Sequence, residues 1–284
     1  MSIESNYVLN RKAMISDEHG NKERHIFATK EDVDAIDGVR QYFGMLLKDT
    51  NGQYPALKNG YQISKRALWE HPNGHNIIDA IRASKQFIGT KNAPLKALDI
   101  CSGTGQTSWA LVKEGFSLVK AVELDSFTCD YAIQNLVLAG AKTSVDCFNE
   151  DAEVFMQKRI QYGGGEQYDV AFIDPPWVHH VYESEEFSLK SSRPSINSLV
   201  SLAAKLTPVI AVRVPQTVIA KEVQTVAESL GMGSVIRKQH VPPEYRGHNP
   251  AMAYFVRGYE GHIVEDVTID LGLLPDLSLQ TPQD

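Results

Sequence analysis

The chain is poor in cysteine. Its 284 residues contain three, Cys101, Cys129 and Cys147. Their spacing fits no zinc motif and no disulfide framework, so they read as reduced, buried thiols and no metal site is expected. Long apolar runs are missing too. None approaches the roughly 18 residues needed to cross a bilayer, which argues against a membrane protein. The opening stretch, MSIESNYVLNRKAM, lacks the apolar core of a secretory signal. The expectation is a soluble, cytoplasmic protein. Basic residues are absent from residue 258 onward, where six acids gather: Glu260, Glu265, Asp266, Asp270, Asp276 and Asp284. The rest of the chain carries the remaining −1 of a net charge of −7. A local basic surface is compatible with that balance, so overall charge neither supports nor excludes a nucleic-acid partner.

What is present is an ordinary globular composition, 43% hydrophobic and 22% charged. The first thirty residues are polar and aperiodic and read as an arm. Thr29 and Asp32 make a capping-box-like start. Behind it Val33, Ile36, Val39, Phe43, Leu46 and Leu47 recur at helical spacing. A second helix is predicted over 76–88, with Ile77, Ile78, Ile81 and Ile88 buried. From residue 95 the pattern changes to short apolar runs at 95–100, 118–124, 144–148, 169–173, 209–214, 234–241 and 251–256, most of them separated by amphipathic segments. Such alternation predicts an α/β fold, a doubly wound, mostly parallel sheet. The last two runs are joined by VPPEYRGHNP, too short and proline-rich for a helix, which predicts a terminal antiparallel pair. The organisation expected is an N-terminal arm and helical extension over 1–93, a cofactor-binding domain over 94–258, and an acidic tail over 259–284.

In a doubly wound sheet, ligands sit beyond the carboxyl ends of the strands. The first strand runs into Asp99-Ile-Cys101-Ser-Gly103-Thr-Gly105, where two glycines allow a tight turn and close approach of backbone to ligand. The second ends in Glu123-Leu-Asp125, about 20 residues after Gly103, where a carboxylate can accept both hydroxyls of a ribose. A dinucleotide fingerprint needs a third glycine, and Ser108 stands there; a P-loop's Lys-Ser/Thr is also missing. Ribose and adenine without a phosphate fit better. The third strand is followed by Asn149-Glu150-Asp151-Ala152, in which Asp151 suits either the adenine amino group or an N-cap.

The fourth strand gives the strongest signal, Tyr168-Asp-Val-Ala-Phe-Ile173 followed by Asp174-Pro175-Pro176-Trp177. The prolines fix the backbone and hold their neighbours rigidly. Trp177 offers a flat face for an unstacked base. Asp174 and the carbonyl of Pro175 can accept the two hydrogens of an amine, freeing its lone pair for a methyl group. Positioning supplies most of the catalysis in such a transfer, and no strong base is needed.

In this order and spacing, LDICSGTG, AVELD, NEDA and IDPPW resemble the motifs of class I S-adenosylmethionine-dependent methyltransferases of the amino-methylating type, with their Rossmann-like sheet. Within that class the chain is most similar to the trimethylguanosine synthase group, which methylates the exocyclic amine of guanine at an RNA cap. Trp177 after Pro-Pro, Tyr182, and the Ser-, Arg- and Phe-containing segment EEFSLKSSRPSINSLVSLAAKLTPVIAVRVP carry that likeness. Gly60-Tyr-Gln-Ile-Ser64 resembles the stretch that closes over the cofactor in those enzymes. The resemblance implies S-adenosylmethionine as cofactor. It places Asp99, Cys101, Gly103 and Gly105 around the methionine part, Glu123 at the ribose, Asp151 at the adenine and Ser64 in the covering segment. Asp174, Pro175 and Trp177 would present the amine, and His179, Tyr182 and Arg193 would meet the substrate. RNA is the partner implied, with guanine N2 as the methylated atom. Asp174 replaces the Ser found before Pro-Pro in the cap enzymes, and Val178-His179-His180 replaces small glycines. Adenine N6 and a nucleotide-like or other small-molecule amine therefore stay open. Lys190, Arg193, Arg213, Arg237, Lys238 and Arg246 are candidates for a basic rim.

Overall fold

The computed structural model describes residues 72–138, 140–163, 167–175, 186–240 and 250–268. The helix expected around 33–47 and the stretch 60–64 lie outside the described residues. So do Trp177, His179, Tyr182 and the loop holding Arg246.

The elements in chain order are α1 (Pro72–Ile88), β1 (Leu95–Ile100), α2 (Gln106–Lys113), β2 (Phe116–Glu123), α3 (Ser126–Leu138), β3 (Val145–Asn149), α4 (Ala152–Tyr162), β4 (Val170–Ile173), α5 (Ile196–Ala203), β5 (Val209–Pro215), α6 (Ala220–Ser229), β6 (Met232–His240), β7 (Pro250–Arg257) and β8 (His262–Thr268). The strands form one sheet in the order β3-β2-β1-β4-β5-β7-β6-β8. The first five are mutually parallel, β7 runs antiparallel to both β5 and β6, and β8 lies parallel to β6. This is the doubly wound sheet with its antiparallel pair. The chain departs from simple order in one place: β7 is threaded between β5 and β6.

The middle strands are buried on both faces, which is why they read as continuous apolar runs. Residues 170–173 and 251–256 are buried throughout. The helices bury one stripe each. In α5 it is Ile196, Leu199, Val200 and Ala203, the i, i+3, i+4, i+7 spacing of a single face. In α6, Val223 and Ala227 serve the same end. Their side chains join Leu98, Ile100, Ile173, Ile210, Val212 and Phe255 in the principal core. Asp169 fastens the start of β4 to β1: its carboxylate accepts the Lys96 N–H at 2.7 Å and pairs with Lys91.

Two findings revise the expected organisation. Residues 262–268, read as part of an acidic tail, form the edge strand β8. Its acids are used: Glu265 pairs with Arg237 at 2.7 Å and Asp266 with His240. Helix α1, assigned to the N-terminal extension, falls in the same compact unit as the sheet, Pro72–Asp284. Its Asp79 accepts from Gln239 at 3.0 Å and pairs with Arg237.

Candidate functional site

The carboxyl ends of β1, β2, β3 and β4 gather the residues on which the sequence argument rests. The chain leaves β1 through Cys101, whose φ of 62° is left-handed, a strained conformation for a residue with a side chain. Gly103 and Gly105 follow with φ of 53° and 86°. A Cβ at Gly103 would meet nothing within 4 Å, so the backbone there lies open to a ligand. A Cβ at Gly105 would press on Ala132 of α3 at 3.3 Å, so this second glycine serves helix packing as well as the turn.

Three carboxylates stand around this turn, each held differently. Asp99 is buried and accepts the Ser108 hydroxyl at 2.5 Å. Burial pushes its carboxyl up to about 7; the Ser108 bond opposes the rise, and the charges of Asp174 and Glu123 add to it. Glu123 uses one oxygen for the Gly103 N–H and the other for the Asp125 N–H, both at 3.0 Å. Each oxygen keeps a second lone pair for a ribose hydroxyl. Asp151 caps α4, its Oδ1 accepting from Glu153 N and Val154 N at 2.9 and 3.0 Å. Its Oδ2 takes no hydrogen bond from the described residues, so capping and ligand binding are compatible here. Asn149 stitches this corner together, donating to the carbonyls of Glu123 and Leu124.

Asp174 sits past the end of β4, with its N–H on the Ile100 carbonyl at 3.2 Å. Its Oδ2 accepts from Arg213 of β5 at 3.1 Å. The two strands run in parallel register with Ile173 opposite Val212, so their next residues are neighbours. Pro175 is buried. Together the site is strongly anionic. Burial first, then the carboxylates of Glu123, Asp174, Asp99 and Asp151, drive the ionisation of the Cys101 thiol far upward. Such a cup favours a cationic sulfonium and ammonium and repels a pyrophosphate.

The proposed basic rim is only partly present. Arg237 is taken up between Asp79 and Glu265, and Arg213 faces Asp174 rather than solvent. Both lie on interior-facing positions of strands, where a buried guanidinium needs a carboxylate. Lys190 and Arg193 are exposed, on the segment leading into α5, with no ion pair among the described residues. That segment is clasped to α6: Glu222 accepts from the Ser188 hydroxyl and from Leu189 N at 2.8 Å, and Phe187 bridges Val218.

Sequence reasoning missed three contributions. Ser108 counted only as an absent glycine, yet its hydroxyl holds Asp99. Arg213 is the one charge in the apolar run VIAVRVP, a signal that it needed a partner. Leu124, between Glu123 and Asp125, is 69% exposed, an apolar face left bare at the ribose corner.

A doubly wound sheet with a glycine turn after its first strand, a ribose-register acid after its second and an anionic cup between them defines a class I S-adenosylmethionine-dependent methyltransferase. More narrowly, the family model for RNA cap guanine-N2 methyltransferases matches residues 95–253, over half of the chain, and the chain belongs to that family. No curated protein matches it. Among solved structures, it is similar to an S-adenosylmethionine-dependent methyltransferase from Agrobacterium tumefaciens, at 16% identity and a TM-score of 0.48. That match covers 64% of this chain and 62% of the other, just under two thirds of its length. Magnesium protoporphyrin IX methyltransferase from Synechocystis PCC 6803, with S-adenosylmethionine bound, is similar at 12% identity and a TM-score of 0.46, over 70% of this chain and 86% of the other.

Proposed function

We propose that the enzyme methylates an exocyclic amine of a nucleobase in RNA, guanine N2 ahead of adenine N6. The observation that carries this reading is Asp174, rigidly held at the end of β4 with Oδ1 taking no hydrogen bond from the described residues. S-adenosylmethionine, when bound, supplies a methyl group already activated by its sulfonium. Asp99 and the Gly103 backbone hold the methionine part, with Cys101 and Gly105 shaping the turn. Glu123 takes the ribose, and Asp151 and the exposed face of Leu124 take the adenine. Ser64 belongs to the covering segment. On the substrate side Asp174 and the Pro175 carbonyl accept the amine hydrogens, and Trp177 stacks on the base. With both amine hydrogens held, the nitrogen lone pair would be aimed at the methyl group that the cofactor would supply, and Asp174 would take the proton released on transfer and pass it to solvent. His179, Tyr182, Arg193 and Lys190 meet the RNA around the base.

Asp174→Ala tests this directly. Transfer from labelled S-adenosylmethionine to a guanosine-capped oligoribonucleotide should fall at least 100-fold, the cost of losing a positioning acceptor. Calorimetry should show the cofactor binding nearly as in wild type, because Glu123, Asp151 and the glycine turn that hold it are untouched. Retained transfer sinks the role of Asp174. A second reading, a small-molecule amine as substrate, is favoured by the net charge of −7, and the same assay with a free aryl amine decides between them.

A further inference from the structure

We infer that Arg213 is a positioning residue for methyl transfer, holding the Asp174 carboxylate in one rotamer so that a single oxygen is presented to the substrate amine. The inference rests on the amine-methylating reading above and adds a residue to it. The geometry is specific. Asp174 is fixed by its backbone to β1 and by its side chain to β5, through Ile100 and Arg213 respectively. The Arg213 side chain, 19% exposed, is the more covered partner, and that of Asp174, 34% exposed, the more open one. Without the cation, the Asp174 side chain rotates about χ1 and χ2, and the acceptor is spread over several positions. The cation also offsets the repulsion between Asp174 and the neighbouring carboxylates of Asp99 and Glu123 that close the other side of the cup. Its own strand position is a committed one. Arg213 lies opposite Met252 of β7, which in turn faces Arg237 of β6, so each arginine at this level is matched by carboxylates of its own, Asp174 for the first and Asp79 and Glu265 for the second. The 3.1 Å pair sets the cation against Asp174, so a phosphate at this guanidinium would have to compete with that carboxylate. Arginine rather than lysine suits the task, because the planar guanidinium fork aims the one N–H on Oδ2 in a fixed direction, where an ammonium turns freely.

The test compares wild type, Arg213→Lys and Arg213→Met, with Asp174→Asn and the Arg213→Met/Asp174→Asn double variant. Transfer is measured to a guanosine-capped oligoribonucleotide, an adenine-containing oligoribonucleotide and a free aryl amine. Arg213→Met should lower kcat about 10- to 100-fold, the loss typical of a misplaced acceptor, with KM for the RNA and the cofactor Kd within about twofold of wild type. Arg213→Lys should recover part of kcat, since it restores charge but not the fork. The double variant should be little worse than Asp174→Asn alone, because the two residues act as one unit. A raised RNA KM with unchanged kcat in Arg213→Met overturns the inference and makes Arg213 a phosphate contact. Loss of kcat that is additive with Asp174→Asn, or accompanied by a lower Tm in Arg213→Lys and Arg213→Met alike, overturns it in favour of a purely structural pair. Wild-type inactivity on all three acceptors removes the amine-methylating reading itself, and this inference with it.

Discussion

At Asp99, two demands conflict. A buried carboxyl raised from 3.8 to about 7 holds a proton in the fold that the unfolded chain has already released. Between those values stability falls as pH rises, because the folded state binds more protons there than the unfolded one. A cofactor ammonium needs the opposite state, the carboxylate. Affinity for S-adenosylmethionine should therefore rise as pH climbs from 6 to 7.5, which calorimetry across that interval reads directly. Asp99→Asn should flatten the dependence and weaken binding while raising the Tm of the ligand-free protein at pH 8 and not at pH 4. If wild type and Asp99→Asn bind with the same pH profile, Asp99 does not face the ammonium. The thiol at Cys101 stands in the same cup with its ionisation pushed upward, so its place at the site is a backbone one, a left-handed exit from β1.

The elements connect these residues through a small number of side-chain ties. The clasp of Glu222 on Ser188 and Leu189 secures the segment after β4 to α6. Glu222→Ala leaves the Leu189 N–H without that acceptor and should cost about 1–3 kcal/mol in denaturant unfolding. Glu222→Gln keeps an acceptor and should cost less. An unchanged midpoint in Glu222→Ala would show that water replaces the bond at no cost. Most elements are legible from pattern alone. Strand β1 is predicted at its observed bounds, Leu95–Ile100, because an apolar run ends there in the glycine turn. Glu123 and Asp174 are legible as strand-end acids because strand ends are where a doubly wound sheet puts its chemistry. What is not legible is pairing at a distance. Nothing near Arg213 in the sequence points to Asp174, 39 residues away, and in HIVEDVT the strand signal of Ile263, Val264 and Val267 is interrupted by Glu265-Asp266, with Ile263 and Val264 exposed on opposite faces. An acid-bearing edge strand reads as a tail; it becomes a strand because β6 offers it a free edge, Arg237 an ion pair and His240 a hydrogen-bond partner.

For the whole molecule, charge decides how the enzyme meets its substrate. On the reading proposed above, with a net charge of −7 and with Arg213 and Arg237 internally paired, the cations open to RNA among the described residues include Lys190 and Arg193. Two or three phosphate contacts correspond to a loss of about tenfold in RNA affinity between 50 and 200 mM salt, far less than a groove-lining protein would show. Titration of a capped oligoribonucleotide at those two salt concentrations reads this, with cofactor affinity as the insensitive control. A loss of a thousandfold would mean an extended basic face supplied by residues beyond those described. The threading of β7 between β5 and β6 also sets a clock on synthesis. When residue 240 leaves the ribosome, every side chain from Asp99 to Arg213 has been made, yet β6 has no place in the sheet and β5 is a bare edge. Both wait for β7, which is translated later, and β8 follows it onto the outer side of β6. The catalytic half of the molecule is therefore complete as polypeptide while its outer wall is still missing. During that interval the nascent chain leaves the backbone groups along VIAVRV unpaired, an open edge of the kind that favours wrong pairing.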